Sequence, residues 1–193
     1  MRQGSLQSQT IPMLEEPKFV PNKLTTQGVT VISPGLGNTD IVGNSAGEDK
    51  TDCICLNLED LKCFETVEGQ YENLGVIFEN CIALQPSNPA FPAHSGLTVL
   101  MGGPKSGLLE AKFIRPVTQV SAYVTSSQRL IFSAYGKNKE LLAQTVLPGE
   151  NLGNSDSVIP PNTKLSLSAQ DIHRVSFCAF DGQFTVDDFS FSL

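Results

Sequence analysis

The sequence has no tryptophan and only three tyrosines, Tyr71, Tyr123 and Tyr135. Sugar-binding faces commonly rely on exposed rings that stack on pyranoses, so the shortage argues against a planar polysaccharide platform. Basic charge is scarce too: 13 Lys and Arg stand against 20 Asp and Glu, a net charge of −7. No basic cluster occurs along the chain. That argues against nucleic acid as a partner, which demands a positive footprint, and against an anionic membrane surface. No apolar run approaches the roughly 18 residues of a membrane span. The opening MRQGSLQSQTIPMLEEP has no apolar h-region and is not a secretory signal. No Asn-x-Ser/Thr sequon occurs either.

What is present is enough for a folded domain. Of 193 residues, 40% are hydrophobic and the mean hydropathy is −0.05, so a sizeable core is expected. The five cysteines are Cys53, Cys55, Cys63, Cys81 and Cys178. An odd count leaves at least one free thiol or one intermolecular bond. Two bridges form in an oxidising compartment; in a reducing one all five stay thiols.

Residues 1–27 are rich in Gln, Pro, Ser and Thr and read as a loosely held leader. VTVI at 29–32 reads as a strand, followed by a Gly/Asn/Ser/Asp stretch with the chemistry of loops. CICLNL at 53–58 alternates. We expect an N-terminal extension over 1–62, adding one or two strands, and one domain over 63–193.

The domain is organised around residues 63–80, with Tyr71 as an aromatic anchor, and residues 182–193. These first and last stretches are expected to close the sheet. Strand signals lie at 75–79, 97–101, 109–114, 118–125, 130–135, 141–146, 164–168, 172–180 and 184–191, separated by turn-forming sequence. No stretch has a capped helical period. An all-β sandwich or barrel follows. The last strand changes parity: Phe184 and Val186 share one face, Phe189 and Phe191 the other. A β-bulge at Asp187-Asp188 would return both halves to the core and turn a carboxylate sideways.

Several motifs, taken in order, are Phe64-Glu65, Y-x-x-L-G-V-x-F from Tyr71 to Phe78, and H-S-G from His94 to Gly96. A-Y-G from Ala134, I-x-R-V-x-F from Ile172 and G-x-F-x-V-D-D-F-x-F from Gly182 follow. The set resembles the jelly-roll β-sandwich domains similar to carbohydrate-binding modules and galactose-binding-like domains of bacterial secreted and surface proteins. The resemblance covers 63–193. It implies a jelly-roll β-sandwich and a secreted or cell-surface location, and, because first and late strands often neighbour each other in a jelly roll, it makes Cys63–Cys178 the bridge to test. It also implies a structural calcium ion near Glu65 and Asp187 or Asp188, with Ser95 and its neighbour Gly96 completing the oxygen shell.

Other constellations fail. VTVISPGLGNTD places Asp40 where a dinucleotide turn needs its third glycine, and GGPKSG lacks the order of a phosphate loop. The spacing of Cys53, Cys55, Cys63 and Cys81 matches no usual zinc site, and C-x-C puts both side chains on one strand face. His94 and His173 lack a nucleophile motif, and the clustered Glu65, Glu68, Glu72 and Glu79 read as solvated. No enzyme is expected. The first functional expectation is a non-catalytic binding module, calcium-stabilised, recognising a glycan or cell-surface ligand through Asn88, His94, Tyr135 and Asn138. The alternative is a structural or adhesive surface protein assembling with a protein partner, or as a homo-oligomer, through its N-terminal segment.

Overall fold

The computed structural model describes residues 53–103 and 107–193. The expected leader and the strand at 29–32 lie outside the described residues, as does the tip of the GGPKSG turn.

Nine antiparallel strands form two facing layers. One layer contains β2 (Val76–Glu79), the first half of β5 (Leu108–Ser126), the second half of β8 (Thr163–Cys178), β6 (Leu130–Tyr135) and β7 (Leu141–Leu147). The other contains β3 (Cys81–Leu84), β4 (Val99–Gly102), β9 (Phe184–Ser192) and the remaining halves of β5 and β8. β1 (Cys53–Cys55) pairs with the end of β9. Because β5 and β8 run through both layers, all nine strands share one hydrogen-bonded network. The hairpins β3–β4 and β6–β7 each stay within one layer, while β5 and β8 cross between the layers, and the whole is a jelly-roll β-sandwich.

The corners of β5 and β8 explain a difference from the sequence reading. The segments 109–114 and 118–125 are one bent strand, as are 164–168 and 172–178. In β5 the pairing with β8 loses register between Lys112 and Val117, around Pro116, which has no N–H to give a ladder. In β8 the bend carries Asp171 at φ 59°, a left-handed conformation that Asp tolerates better than most residues. Two breaks that look like turns are thus two layer crossings. The sequence reading also passed over β3, whose four residues are too few to show a period.

Residues 63–80 and 182–193 do not pair with each other. β2 pairs with β5, while β9 takes β1, β4 and β5 as neighbours. The two stretches meet across the core instead, where Phe78 and Phe189 lie edge to face at 5.3 Å. Residues 53–62, placed in the extension by sequence, add β1 to the sheet and Leu56, Leu58 and Leu61 to the core. Phe177 stacks on Phe132 at 4.1 Å within its layer and touches Phe184 and Phe189 of the other. Tyr71 is the expected anchor: its hydroxyl donates to the Asn57 carbonyl at 2.7 Å, and burial pushes its pKa up to about 12.

The expected bulge is present. Ser121 faces Ser190, but Tyr123 faces Asp187, so β9 carries one extra residue there. Asp188 takes φ 45° at the bulge, and Phe184, Val186, Phe189 and Phe191 are all buried.

Candidate functional site

The bulge fastens the long loop between β3 and β4. Asp187 Oδ2 accepts the backbone N–H of His94 at 2.7 Å and of Ser95 at 3.1 Å, and Oδ1 accepts that of Asp188. Asp188 binds Ser95 Oγ at 2.6 Å and His94 Nδ1 at 2.6 Å. The His94 ring stacks on Tyr123 with centroids 3.5 Å apart. His94 is therefore engaged rather than free in a solvated loop. Farther along, Glu59 Oε1 accepts the N–H groups of Leu97 and Thr98. Asp187 is 3% exposed. Burial raises its pKa, against the lowering effect of the Ser95, His94 and Asp188 amides.

The loop's other end borders a cleft of about 200 Å³, lined among others by Phe64, Gln85, Asn88, Phe91, Met101 and Gln183. Phe64 is the unusual member: it is 78% exposed and sits at φ 66°. A bulky side chain in that region is an outlier that the surroundings must hold in place. They do so through a tight turn. Phe64 N–H donates to the Ala83 carbonyl at 2.7 Å, and Glu65 N–H to the Lys62 carbonyl at 2.9 Å. Glu65 Oε2 then accepts the Lys62 N–H, while Oε1 accepts from Gln70 Nε2. The Lys62 amide, followed by Gln70, holds the Glu65 carboxyl below its ordinary pKa. Asn88 folds back on itself through Oδ1 to the Ala90 N–H.

The calcium donors expected from the sequence are divided. Ser95, Asp187 and Asp188 meet, but their oxygens are already taken by His94, Ser95 and Asp188 groups. Glu65 belongs to the Phe64 turn. Among the described residues no group of three or more His, Cys, Asp or Glu side chains is placed to hold a metal ion. Thermal unfolding in calcium and in excess chelator tests the expected ion directly; equal midpoints would remove it. A midpoint several degrees higher in calcium, lost in Glu65→Gln with Asp187→Asn, would support it.

The expected glycan contacts also separate. Asn88 borders the Phe64 cleft and His94 is locked at the bulge. Tyr135 and Asn138 lie at the β6–β7 hairpin, where Arg174 covers the Tyr135 ring at 4.6 Å. All five cysteines are free thiols. The Cys63–Cys178 bridge is not formed: Cys63 Sγ accepts the Gln85 N–H, and Cys178 pairs through β8 with β5 and β6. Cys53 and Cys55 are both exposed, as C-x-C alternation requires.

Sequence reasoning missed the role of Phe64, and of Gln85 and Gln183. The available signal was a phenylalanine outside any alternating run, next to a carboxylate able to clamp a turn.

Fold and cleft define a jelly-roll β-sandwich with a small surface site. No family model matches the chain, and no curated protein matches it. Among solved structures it is similar to a DUF4465 family protein from Bacteroides caccae, at 9% identity over 72% of this chain and 98% of that one, with a TM-score of 0.45. It is similar to TmCBM61, solved with β-1,4-galactotriose, at 14% identity over 72% and 99% of the chains, with a TM-score of 0.39. The CBM22-1 xylan-binding domain of Paenibacillus barcinonensis Xyn10C follows at 12% identity over 68% and 90%, with a TM-score of 0.33. Likeness of this degree says nothing about a ligand for this chain. Among the described residues no helix is long and apolar enough to cross a membrane.

Proposed function

We propose that the chain is a non-catalytic binding module, in a secreted or cell-surface setting, that takes a neutral glycan in the cleft beside Phe64. The observation that supports this most is Phe64 itself, an exposed ring held at φ 66° at the border of a cleft. An aromatic face suits the C–H face of a sugar ring. The amides of Gln85, Asn88 and Gln183 supply both donors and acceptors for hydroxyls. A concave site with an apolar floor and few polar groups is the usual form of a small-ligand site.

The test is retention on an array of neutral oligosaccharides, followed by calorimetry with the best of them. Phe64→Ala is expected to weaken binding at least about tenfold, or ~1.4 kcal/mol, with an unchanged unfolding midpoint because the ring is exposed. Phe64→Tyr should keep most of the affinity. Glu65→Ala should also weaken binding, by loosening the turn. With its pKa lowered in the folded chain, Glu65 loses this clamp only as pH falls below the ordinary carboxylate range. Equal binding by wild type and Phe64→Ala would sink the site. No retention on any glycan, together with oligomers abolished by Cys53→Ser and Cys55→Ser, would favour the structural, adhesive reading instead.

A further inference from the structure

The chain is acidic, yet one surface of it is not. On the outer face of the first layer, a second cleft of about 350 Å³ is lined by Lys112, Lys137, Lys139, Arg174 and His173, with Glu79 and Glu110 as its carboxylates. Four of the 13 basic residues of a chain with net charge −7 thus converge on one depression. They come from β5, the β6–β7 hairpin and β8, so no stretch of sequence is basic. A concave patch whose sign opposes that of the whole molecule focuses anions locally.

The cations fall into two groups. Arg174 and Lys112 are tied down: Arg174 Nη1 pairs with Glu110 at 3.0 Å and lies over Tyr135, and Lys112 pairs with Glu79 at 2.5 Å. Lys137 and Lys139 have no carboxylate partner among the described residues and stand exposed on the hairpin. The hairpin is built for them. Gly136 N–H donates to the Glu140 carbonyl, Lys139 N–H donates to the Gly136 carbonyl, and Lys139 takes φ 66°. A lysine occupies a left-handed position where glycine or asparagine would be less strained.

We propose that this cleft is a second site, distinct from the Phe64 cleft, for an acidic sugar: a uronic acid unit of a glycan. Lys137 and Lys139 meet its carboxylate, and Glu79 and Glu110 accept hydrogen bonds from its hydroxyls. The mixed lining decides the class. A polyphosphate or polysulfate chain would bring anions against both glutamates and few hydroxyls to satisfy them. An acidic peptide would match the cations with its carboxylates but, like polyphosphate, would bring more anions against Glu79 and Glu110 and few hydroxyls for them to accept.

The test is calorimetry of the full chain with oligogalacturonate, with the neutral galacto-oligosaccharide of equal length as control and polyphosphate as a second anion. Oligogalacturonate is expected to bind at least tenfold more tightly than either. The affinity should fall at least tenfold in the double variant Lys137→Ala, Lys139→Ala, whose exposed side chains leave folding unchanged, and stay as in wild type in Phe64→Ala. Polyphosphate binding as tightly as oligogalacturonate would overturn the proposal in favour of a general anion patch. Tighter binding of a poly-glutamate peptide would overturn it in favour of a protein partner. Equal binding by the double variant would place the ligand elsewhere.

Discussion

Replacing Asp187 with alanine is expected to lower the unfolding free energy by about 3 kcal/mol, the sum of losing an ionised acceptor and stranding its donors. Three backbone N–H groups depend on that carboxylate, those of His94, Ser95 and Asp188. Two belong to the loop between β3 and β4, so the loss extends beyond the bulge. The same loop supplies Gln85, Asn88 and Phe91 to the Phe64 cleft. Affinity for a glycan bound there should fall with stability. Amide hydrogen exchange localises the effect: His94 and Ser95 should lose protection, while β6 and β7 keep theirs relative to global unfolding.

The ionisation of Asp187 gives the same site a pH signature. Burial raises its pKa in the folded chain. A raised folded pKa means that the group favours folding most below its unfolded pKa, and that this contribution is lost as pH rises through the folded value. Glu65 has the opposite sign, since its pKa is lowered and its contribution fades as pH falls. Asp187→Asn keeps one acceptor for His94 and Ser95 but turns an amide N–H toward the Asp188 N–H. It should destabilise less than alanine and flatten the decline of stability just above the ordinary carboxylate range. An unchanged pH profile in Asp187→Asn would show that the carboxylate ionises without penalty.

How far the sequence revealed this molecule follows from which features leave a pattern. The bulge was legible because hydrophobic parity switches at Asp187-Asp188, and a two-residue period permits no other repair. Tyr71 was legible as a lone aromatic in a polar turn. The bends at Pro116 and Asp171 resembled turns because both corners and turns use residues that interrupt ladders. Phe64 left no periodic pattern, only its place outside any alternating run, since its setting depends on a positive φ and on Ala83 and Lys62 at hydrogen-bond distance. The basic cleft is likewise absent from a linear reading: its cations are drawn together only by the pairing of β5 with β8 and of β6 with β8. Patterns of period two report which face a residue takes. They do not report which loops meet at a rim.

Asn151 belongs to that hidden class and carries the largest expected effect on stability. Its side chain is 0% exposed. Oδ1 accepts the Ser126 N–H at 2.6 Å, and Nδ2 donates to the Val124 carbonyl at 2.8 Å and the Pro160 carbonyl at 3.0 Å. One amide thus ties the loop 148–162 to the end of β5. The Gly153 N–H passes the tie onward by donating to the Ala90 carbonyl of the β3–β4 loop. Asn151→Ala takes the partner from the buried Ser126 N–H and a donor from the buried Val124 carbonyl, while the Pro160 carbonyl keeps the Thr163 hydroxyl, and about 4 kcal/mol of lost stability is expected. Urea unfolding measures it, with Ser155→Ala, an exposed site in the same loop, expected within about 0.5 kcal/mol of wild type. Asn151→Asp separates hydrogen bonding from packing because its shape is unchanged. Ionised, it faces two carbonyls with a negative oxygen in a buried setting, so its pKa must rise and its deficit must grow with pH. Protonated, it donates once and recovers part of the loss. A deficit in Asn151→Asp that is the same at pH 4 and pH 8 would mean that the loop is held by packing, and that the amide's hydrogen bonds are not what fixes the rim.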